Sequence, residues 1–274
     1  MDNNPLRQYF RRPAVYIKLP SGGVSYEPGV VEFPESGELP VYPMTAIDEI
    51  TARTPDALFN GTAVAELIKS CIPAIKDPWA INSVDLDSIL IAIKAASGGE
   101  NLELDSTCPA CRETDTYQIN LIGILSTLQS GDYTKPLEIG DLKVKFKPLS
   151  YREMNDGAMG QFEVQRMFMN LESIEDLDLR NEASHQALEK ITLLTMELIS
   201  QTIEYIETPG VTVDQKEFIL DFLQHCDRNV YAEIRDYNTM LKMETEIKPL
   251  HIKCSGCENE YEQPFTLNPA DFFG

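Results

Sequence analysis

The chain has 274 residues, of which 43% are hydrophobic and 24% are charged, as is typical of a soluble globular protein. Its formal net charge of −21 argues against binding to nucleic acid, because contact with a phosphate backbone requires a basic footprint. Residues 1–8 do not resemble a signal peptide, and no apolar run is long enough to cross a membrane. We therefore expect a protein made in the cytoplasm, where cysteine thiols stay reduced.

Proline recurs through residues 1–54 and excludes long helices from this part of the chain. Two short patterns, Val15–Leu19 and Gly29–Phe33, predict strands, and the prolines confine such strands to sheet edges. We expect a β-rich, extended arm that packs against another protein and adds an edge strand to it. The alternative is that residues 1–54 fold back onto residues 55–100.

Residues 46–98 are predicted to be helical. Apolar residues from Leu58 to Ile72 follow helical spacing. A second helix is predicted to begin at a cap formed by Ser83 or Asp85 and to end at Gly98-Gly99, which suits a helix C-cap. Its apolar residues are expected to share one face: Leu86, Ile89, Leu90, Ile93 and Ala96.

Two cysteine pairs of identical spacing lie far apart in the chain, at residues 108–111 and 254–257. Each CxxC pair offers two thiolates at the spacing that structural zinc sites use, and two pairs complete a tetrahedral set. Alternating apolar and polar residues flank both pairs, which predicts a β-hairpin around each. We therefore predict a split zinc ribbon with one structural Zn²⁺ ion, bound by Cys108, Cys111, Cys254 and Cys257.

Other interpretations of these residues remain open. Cys108 and Cys111 would form a redox pair if they began a helix in a βαβ unit, but a strand pattern follows them instead. A disulfide framework would require an exported chain, and nothing in the sequence suggests export. His251 lies three residues before Cys254 and is an alternative metal ligand.

The segment between the cysteine pairs begins with a predicted hairpin over residues 137–148, turning at Gly140-Asp141. Helical spacing then dominates residues 151–245, with predicted helices over residues 151–171, 183–206, 218–226 and 230–241. We thus predict an α+β fold, with a β-rich extended N-terminal part, a split zinc ribbon and a large helical insertion. The three parts are residues 1–54, residues 55–136 with 245–274, and residues 137–244.

The sequence contains no recognisable catalytic set. We find no Ser/His/Asp or Cys/His arrangement, and a closed Cys₄ site leaves no coordination position for a substrate. Lys18–Gly23 lacks the ending of a phosphate-binding loop and predicts a turn. The basic residues Arg7, Arg11, Arg12 and Lys18 form only a short patch. We therefore expect a protein that is not an enzyme.

Several segments, in this order along the chain, are similar to a known family. They are Lys18–Gly23 with Tyr26, Pro43–Thr45 with Asp48-Glu49, Asp77-Pro78, Asp85–Lys94, the first CxxC pair, Gly140–Glu153 and the second CxxC pair. Together they resemble the T4-type bacteriophage baseplate proteins, a family that includes hub assembly components of contractile tails. The resemblance covers the N-terminal half and the C-terminal hairpin, whereas the helical block at residues 151–245 is generic.

The resemblance implies a structural component or assembly factor of a contractile-tailed phage baseplate, with the hub region favoured. It implies no enzymatic activity and binding to other tail proteins, with multiple copies in a symmetric assembly. The location would be the virion, after synthesis in the host cytoplasm, with no membrane and no nucleic acid expected as partner. The alternative function is that of a zinc-ribbon protein acting on nucleic acid or in transcription.

Overall fold

A computed structural model describes residues 4–23, 26–54, 60–171, 174–265, 267 and 272. The chain forms two compact units, Met1–Gln129 with Thr245–Gly274, and Ser130–Glu244. The predicted α+β class is confirmed, since helices and small antiparallel sheets occur together. The three-part division expected from the sequence stays a proposal.

The first unit is arranged around helix α3 (Ser83–Gly98), with α1 (Ala46–Ala52) and α2 (Thr62–Cys71) before it. The predicted apolar face of α3 is buried at Leu86, Ile89 and Ile93, and Ser88 and Ile91 on its other sides are buried as well. A helix that is buried nearly all round belongs to the interior of its unit. Leu58, included in a predicted helix, lies outside the described residues.

Both ends of α3 were predicted from the sequence, with different outcomes. The C-terminal end is confirmed, because the helix stops at Gly98 and Gly99 follows with φ 95°, a conformation that favours glycine. The predicted cap is wrong, because Asn82 precedes the helix and Ser83 already lies within it. Asp85 accepts hydrogen bonds from another segment instead of capping the helix.

The N-terminal segment folds back within its own unit. Strands β1 (Val15–Ile17) and β2 (Leu39–Val41) pair antiparallel and pack on α3, with Ile17 5% exposed and Leu39 fully buried. The expectation of an arm laid on another protein is therefore corrected in favour of the alternative, because these strands bury their apolar residues on the same chain. Of the strand predicted at Gly29–Phe33, only a single bridge from Val31 to Ile75 forms.

Two hairpins complete the first unit and confirm the predicted strands around the cysteine pairs. β3 (Asn101–Thr107) pairs with β4 (Thr114–Asn120), and β9 (Leu250–Lys253) pairs with β10 (Glu260–Gln263), each antiparallel. A short helix that was not predicted, α4 (Leu121–Thr127), follows β4 directly. The side chain of Asn120 caps this helix by accepting a hydrogen bond from the Gly123 N–H, which is how the chain turns from strand to helix.

The second unit contains a four-stranded antiparallel sheet in the order β5-β6-β7-β8. The predicted hairpin is confirmed as β5 (Leu137–Ile139) and β6 (Leu142–Phe146). The predicted helix through residue 206 is wrong at its end, because β7 (Ile203–Glu207) pairs with β6 and then with β8 (Thr212–Val213). Pairing with a distant strand overrides the local helical pattern here.

Four helices accompany this sheet. α5 (Tyr151–Leu171) and α6 (Leu177–Thr202) form an antiparallel pair, and α7 (Lys216–His225) and α8 (Arg228–Thr245) follow β8. Helices α6, α7 and α8 share one apolar core with the sheet, which contains Val144, Phe146, Ile199, Ile203, Ile206, Ile219, Leu223, Ile234 and Leu241. The second unit therefore has its own hydrophobic core.

Candidate metal centre

The two cysteine hairpins have the same backbone turn. In the first, the Cys108 N–H donates to the Glu113 carbonyl at 2.9 Å and the Arg112 N–H donates to the Cys108 carbonyl at 2.9 Å. In the second, the Cys254 N–H donates to the Asn259 carbonyl at 2.9 Å and the Glu258 N–H donates to the Cys254 carbonyl at 3.0 Å. The repeated spacing in the sequence thus produces a repeated conformation.

Each turn places the residue after its second cysteine in the left-handed region, with φ 63° at Arg112 and φ 58° at Glu258. Residues other than glycine adopt this conformation rarely. Among the residues that the structure describes, Arg112 and Glu258 are the two non-glycine residues with a positive φ. The two CxxC turns therefore share a left-handed residue as well as their hydrogen bonds.

The four cysteine sulfurs converge, and every pair of Sγ atoms lies within 4.8 Å. The Cys108 and Cys257 sulfurs are 3.7 Å apart, and the Cys111 and Cys254 sulfurs are 3.6 Å apart. Cys108 and Cys254 are buried, whereas Cys111 and Cys257 are exposed at the outer side of the cluster. The sequence-predicted set is therefore brought together in space, although more than a hundred residues separate its two halves.

The spacing of these sulfurs suits a tetrahedral metal ion. Four sulfurs at about 2.3 Å from a central zinc ion lie about 3.8 Å from one another. The distances of 3.6 and 3.7 Å agree with that value. The cysteines are thus arranged to hold a metal ion, and soft thiolate ligands in a tetrahedron favour zinc over calcium or magnesium.

The geometry disagrees with the other interpretations of these cysteines. A disulfide requires sulfurs about 2.05 Å apart, well below the distances in this cluster. The first pair turns between two strands and not at a helix start, which is unlike a redox CxxC motif. His251 lies outside the cluster among the described residues, and its Nδ1 atom is 3.8 Å from Glu262 Oε1.

The thiols have unequal acidity. Backbone N–H groups of Cys111 and Ala110 lower the pKa of Cys108 to about 6. The Glu113 N–H lowers the pKa of Cys111. The contact between the Cys111 and Cys257 sulfurs and the desolvation of Cys111 outweigh this hydrogen bond and raise the pKa of Cys111 to about 12. The first thiolate forms readily, and its negative charge then opposes the others. A bound cation would offset this repulsion, because it would stabilise all four thiolates.

Side chains of one hairpin hold the other in place, and sequence reasoning missed them. The Ser106 hydroxyl bonds to the Tyr261 hydroxyl at 2.9 Å and donates to Gln263 Oε1 at 2.7 Å. Ser255 donates to the Asp115 carboxylate across the turns. Serine and glutamine at inward-alternating strand positions were the available signal, but alternation alone does not identify a partner on another hairpin.

Gly256 allows the two turns to approach closely. A Cβ atom at this position would lie 1.8 Å from a carboxylate oxygen of Glu113 in the opposite turn. Any larger residue therefore requires Glu113 to move. The Ser-Gly dipeptide of the second pair, in place of the Pro-Ala of the first, fits this close approach.

A second polar cluster is centred on Asp85 of α3 and involves the turn predicted at Lys18–Gly23. The backbone N–H of Ser21 donates to Asp85 at 2.8 Å, and the hydroxyls of Ser21 and Tyr26 donate at 2.5 and 2.6 Å. Burial raises the pKa of Asp85 although these donors lower it, and burial beside Asp85 raises the pKa of Tyr26. The Lys18–Gly23 turn is thus tied to α3, which agrees with a structural role.

The basic N-terminal patch is partly used inside the fold. The Arg11 guanidinium donates to the Pro43 carbonyl at 2.6 Å and to the Ser70 carbonyl at 2.8 Å, and it lies 3.3 Å from Asp48. Burial raises the pKa of Asp48, but hydrogen bonds from Thr45 and Ser70 and the charge of Arg11 bring it below its usual value. These contacts of Arg11 therefore stabilise the fold of the first unit.

Comparison with known proteins adds one match. A family model described as T4 bacteriophage base plate protein matches residues 16–274. No curated protein and no solved structure matches the chain. Within the residues that the structure describes, no helix combines the length and apolar character that a membrane span requires.

Proposed function

The chain belongs to the T4 bacteriophage base plate protein family, and we propose that it is a structural component or assembly factor of a contractile phage tail, with the hub region favoured. The observation that carries this proposal is the family match over residues 16–274. The family is one of base plate proteins, and on that ground we infer a role that is not enzymatic.

Within this role, we propose that Cys108, Cys111, Cys254 and Cys257 bind one structural Zn²⁺ ion. The sulfur spacing supports a tetrahedral ion, and four protein ligands leave no position open for a substrate. The metal would link two hairpins that are distant in sequence and so close a long loop of chain. Its contribution would be to stability, which a subunit of a mechanical assembly requires.

The proposed partners are other tail and baseplate proteins, with several copies of this chain in a symmetric assembly. The proposed location is the virion baseplate, after synthesis in the host cytoplasm. The net charge of −21 favours partners with basic surfaces and disfavours a phosphate backbone.

Purified baseplates and their assembly intermediates test this function directly. Mass spectrometry of hub subassemblies, wedge subassemblies and mature particles should detect the chain in the hub fraction. Detection in intermediates but not in mature particles would identify an assembly factor, and absence from all fractions would contradict the proposal. Elemental analysis of the reduced, folded protein should find one zinc per chain.

Filter binding in a salt titration examines the alternative function. A nucleic-acid-binding protein loses affinity steeply as salt rises, because binding releases counterions. We expect no binding above background at any salt concentration. A steep salt dependence would contradict the proposal and favour a nucleic-acid-associated zinc ribbon.

A further inference from the structure

Glu113 and Asn259 occupy the same position in the two cysteine turns, five residues after the first cysteine of each pair. The carbonyl of each accepts a hydrogen bond at 2.9 Å from the N–H of that first cysteine. The N–H of Glu113 donates to the Cys111 sulfur, and the N–H of Asn259 donates to the Cys257 sulfur. The backbones of the two turns therefore contact their sulfurs in the same way, and the turns differ in the side chains at this position.

The side chain of Asn259 reaches the opposite hairpin. Its Nδ2 group donates a hydrogen bond to the Cys108 sulfur at 3.9 Å. That sulfur lies 3.7 Å from the Cys257 sulfur, which accepts a hydrogen bond from the backbone of the same asparagine. Asn259 is half-buried and Cys108 is 1% exposed, so water does not readily replace this donor. One residue thus contacts two sulfurs that belong to different hairpins.

The side chain of Glu113 cannot do the same for the other sulfur pair, Cys111 and Cys254. An ionised carboxylate accepts hydrogen bonds and donates none. The Glu113 carboxylate lies against Gly256 of the opposite turn, where it adds a negative charge near the cluster. Four thiolates around one divalent cation already carry an excess of negative charge, and each N–H donor offsets part of that excess. The pair that contains Cys108 therefore has a side-chain donor at a position where the other pair has an acceptor.

We propose that Asn259 is a positioning residue of the metal centre, whose side-chain amide holds the Cys108 thiolate while its backbone N–H holds the Cys257 thiolate. The proposal rests on the proposed function in one respect, namely that the four cysteines bind one Zn²⁺ ion. Groups that hydrogen-bond to metal ligands orient those ligands and tune the metal. Because Asn259 contacts sulfurs of both hairpins, it also holds the two cysteine pairs at the separation that the ion requires.

The zinc affinity of the reduced full-length protein, measured by competition with a chelator, tests the proposal. Asn259→Leu removes the side-chain donor without adding a charge and keeps the backbone N–H, so it should weaken zinc binding by about 10- to 100-fold. Asn259→Asp keeps the shape of the side chain but replaces its donor with an acceptor, and it should weaken binding at least as much. Glu113→Gln is the matched control, because it changes the same position of the other turn. It should bind zinc at least as tightly as the native chain.

The absorption spectrum of the Co²⁺-loaded protein separates a contact with the sulfur from a general loss of stability. A hydrogen bond to a thiolate withdraws electron density from the sulfur, so its loss shifts the sulfur-to-cobalt charge-transfer band to longer wavelength. Asn259→Leu should show this shift, whereas Glu113→Gln should not. A variant that is merely less stable would bind less cobalt but would not move the band.

Native zinc affinity in both Asn259 variants, or equal losses in Asn259→Leu and Glu113→Gln, would overturn the role of Asn259. So would an unmoved charge-transfer band in Asn259→Leu. Each of these outcomes leaves the proposed zinc site intact, because the native chain still binds the metal. A reduced native chain that binds neither zinc nor cobalt would instead contradict the proposed function of the cysteines.

Discussion

The cysteine hairpins and the sheet of the second unit are both small antiparallel β-structures, but they are stabilised differently. In the hairpins, nearly every strand residue is exposed or half-buried, and Ser106 and Ile252 are the buried exceptions. In the second unit, Val144, Phe146 and Ile203 are at most 1% exposed and join a core with three helices. The sheet of the second unit therefore buries a large apolar surface, whereas the strands of the cysteine hairpins bury almost none.

The difference explains why a metal cross-link would contribute more to the hairpins than to the sheet. Burying one large apolar side chain contributes about 1.5–3 kcal/mol, so several such residues can hold a sheet together. A two-stranded hairpin without such burial is marginally stable at best. The four converging cysteines supply the missing interaction when a metal ion binds, whereas the second unit needs none.

Removing a metal ligand should give the largest effect and separate the two regions most clearly. Cys254→Ser should release both hairpins, because structural zinc binding contributes about 10–16 kcal/mol in small zinc-binding peptides. Limited proteolysis should then cut first within residues 245–274, while the second unit stays protected. Bound zinc should fall in the same samples, as measured by elemental analysis.

Cys226→Ser is the control for that experiment, because Cys226 is half-buried and lies in the second unit, outside the cluster. It should keep its zinc and its protease resistance. If Cys254→Ser were as resistant as the native chain, the hairpins would not depend on the metal.

Deleting a core side chain should have the opposite result, namely a destabilised second unit and intact cysteine hairpins. Phe146→Ala should destabilise the second unit by about 3–5 kcal/mol, because it leaves a cavity in a core where Phe146 is 1% exposed. Hydrogen exchange should accelerate in β6 and β7 while the zinc content stays unchanged. Phe218→Ala, at a position 62% exposed in the same unit, should change stability by less than about 0.5 kcal/mol. Equal effects of the two changes would show that the apolar core is not what holds this sheet.

A smaller effect is expected where α5 and α6 approach each other. Gly157→Ala places a methyl group 2.6 Å from a Leu198 methyl carbon, and relieving this overlap costs about 1–3 kcal/mol. The higher helix propensity of alanine returns about 1 kcal/mol. Urea unfolding should therefore show a modest net loss, whereas Gly98→Ala, with open space around its Cβ position, should show none. A stability gain in Gly157→Ala would show that the helices can move apart freely.

The last effect depends on pH and concerns a carboxyl group in the helical part of the first unit. Burial, and then the neighbouring Glu246, raise the pKa of Asp87 to about 6. The folded state therefore binds this proton more tightly than the unfolded state, and the group's stabilising contribution is lost as pH rises from about 4 to 6. Asp87→Asn should stabilise the protein by about 2 kcal/mol at pH 7.5 and leave it unchanged at pH 4. Thermal unfolding at both pH values measures this, and an equal gain at both would contradict the assignment.

Local spacing in the sequence was sufficient to predict several elements. The two CxxC pairs predicted both hairpins and the residues that converge between them, because a repeated turn motif has the same geometry wherever it occurs. The Gly98-Gly99 pair predicted the end of α3, and alternation around Gly140 predicted β5 and β6. In each case the determining interactions lie within a few residues of one another.

Only the tertiary structure decided the other features. β2 contains Pro40 and pairs at a sheet edge, and β7 breaks a helical pattern to pair with β6. The burial of Asp85 depends on Ser21 and Tyr26, which are about sixty residues away in sequence. The fold-back of the N-terminal strands depends likewise on α3. A strand, a buried carboxylate and an apolar segment all require partners to be stable. When those partners are distant in sequence, local propensity does not identify them.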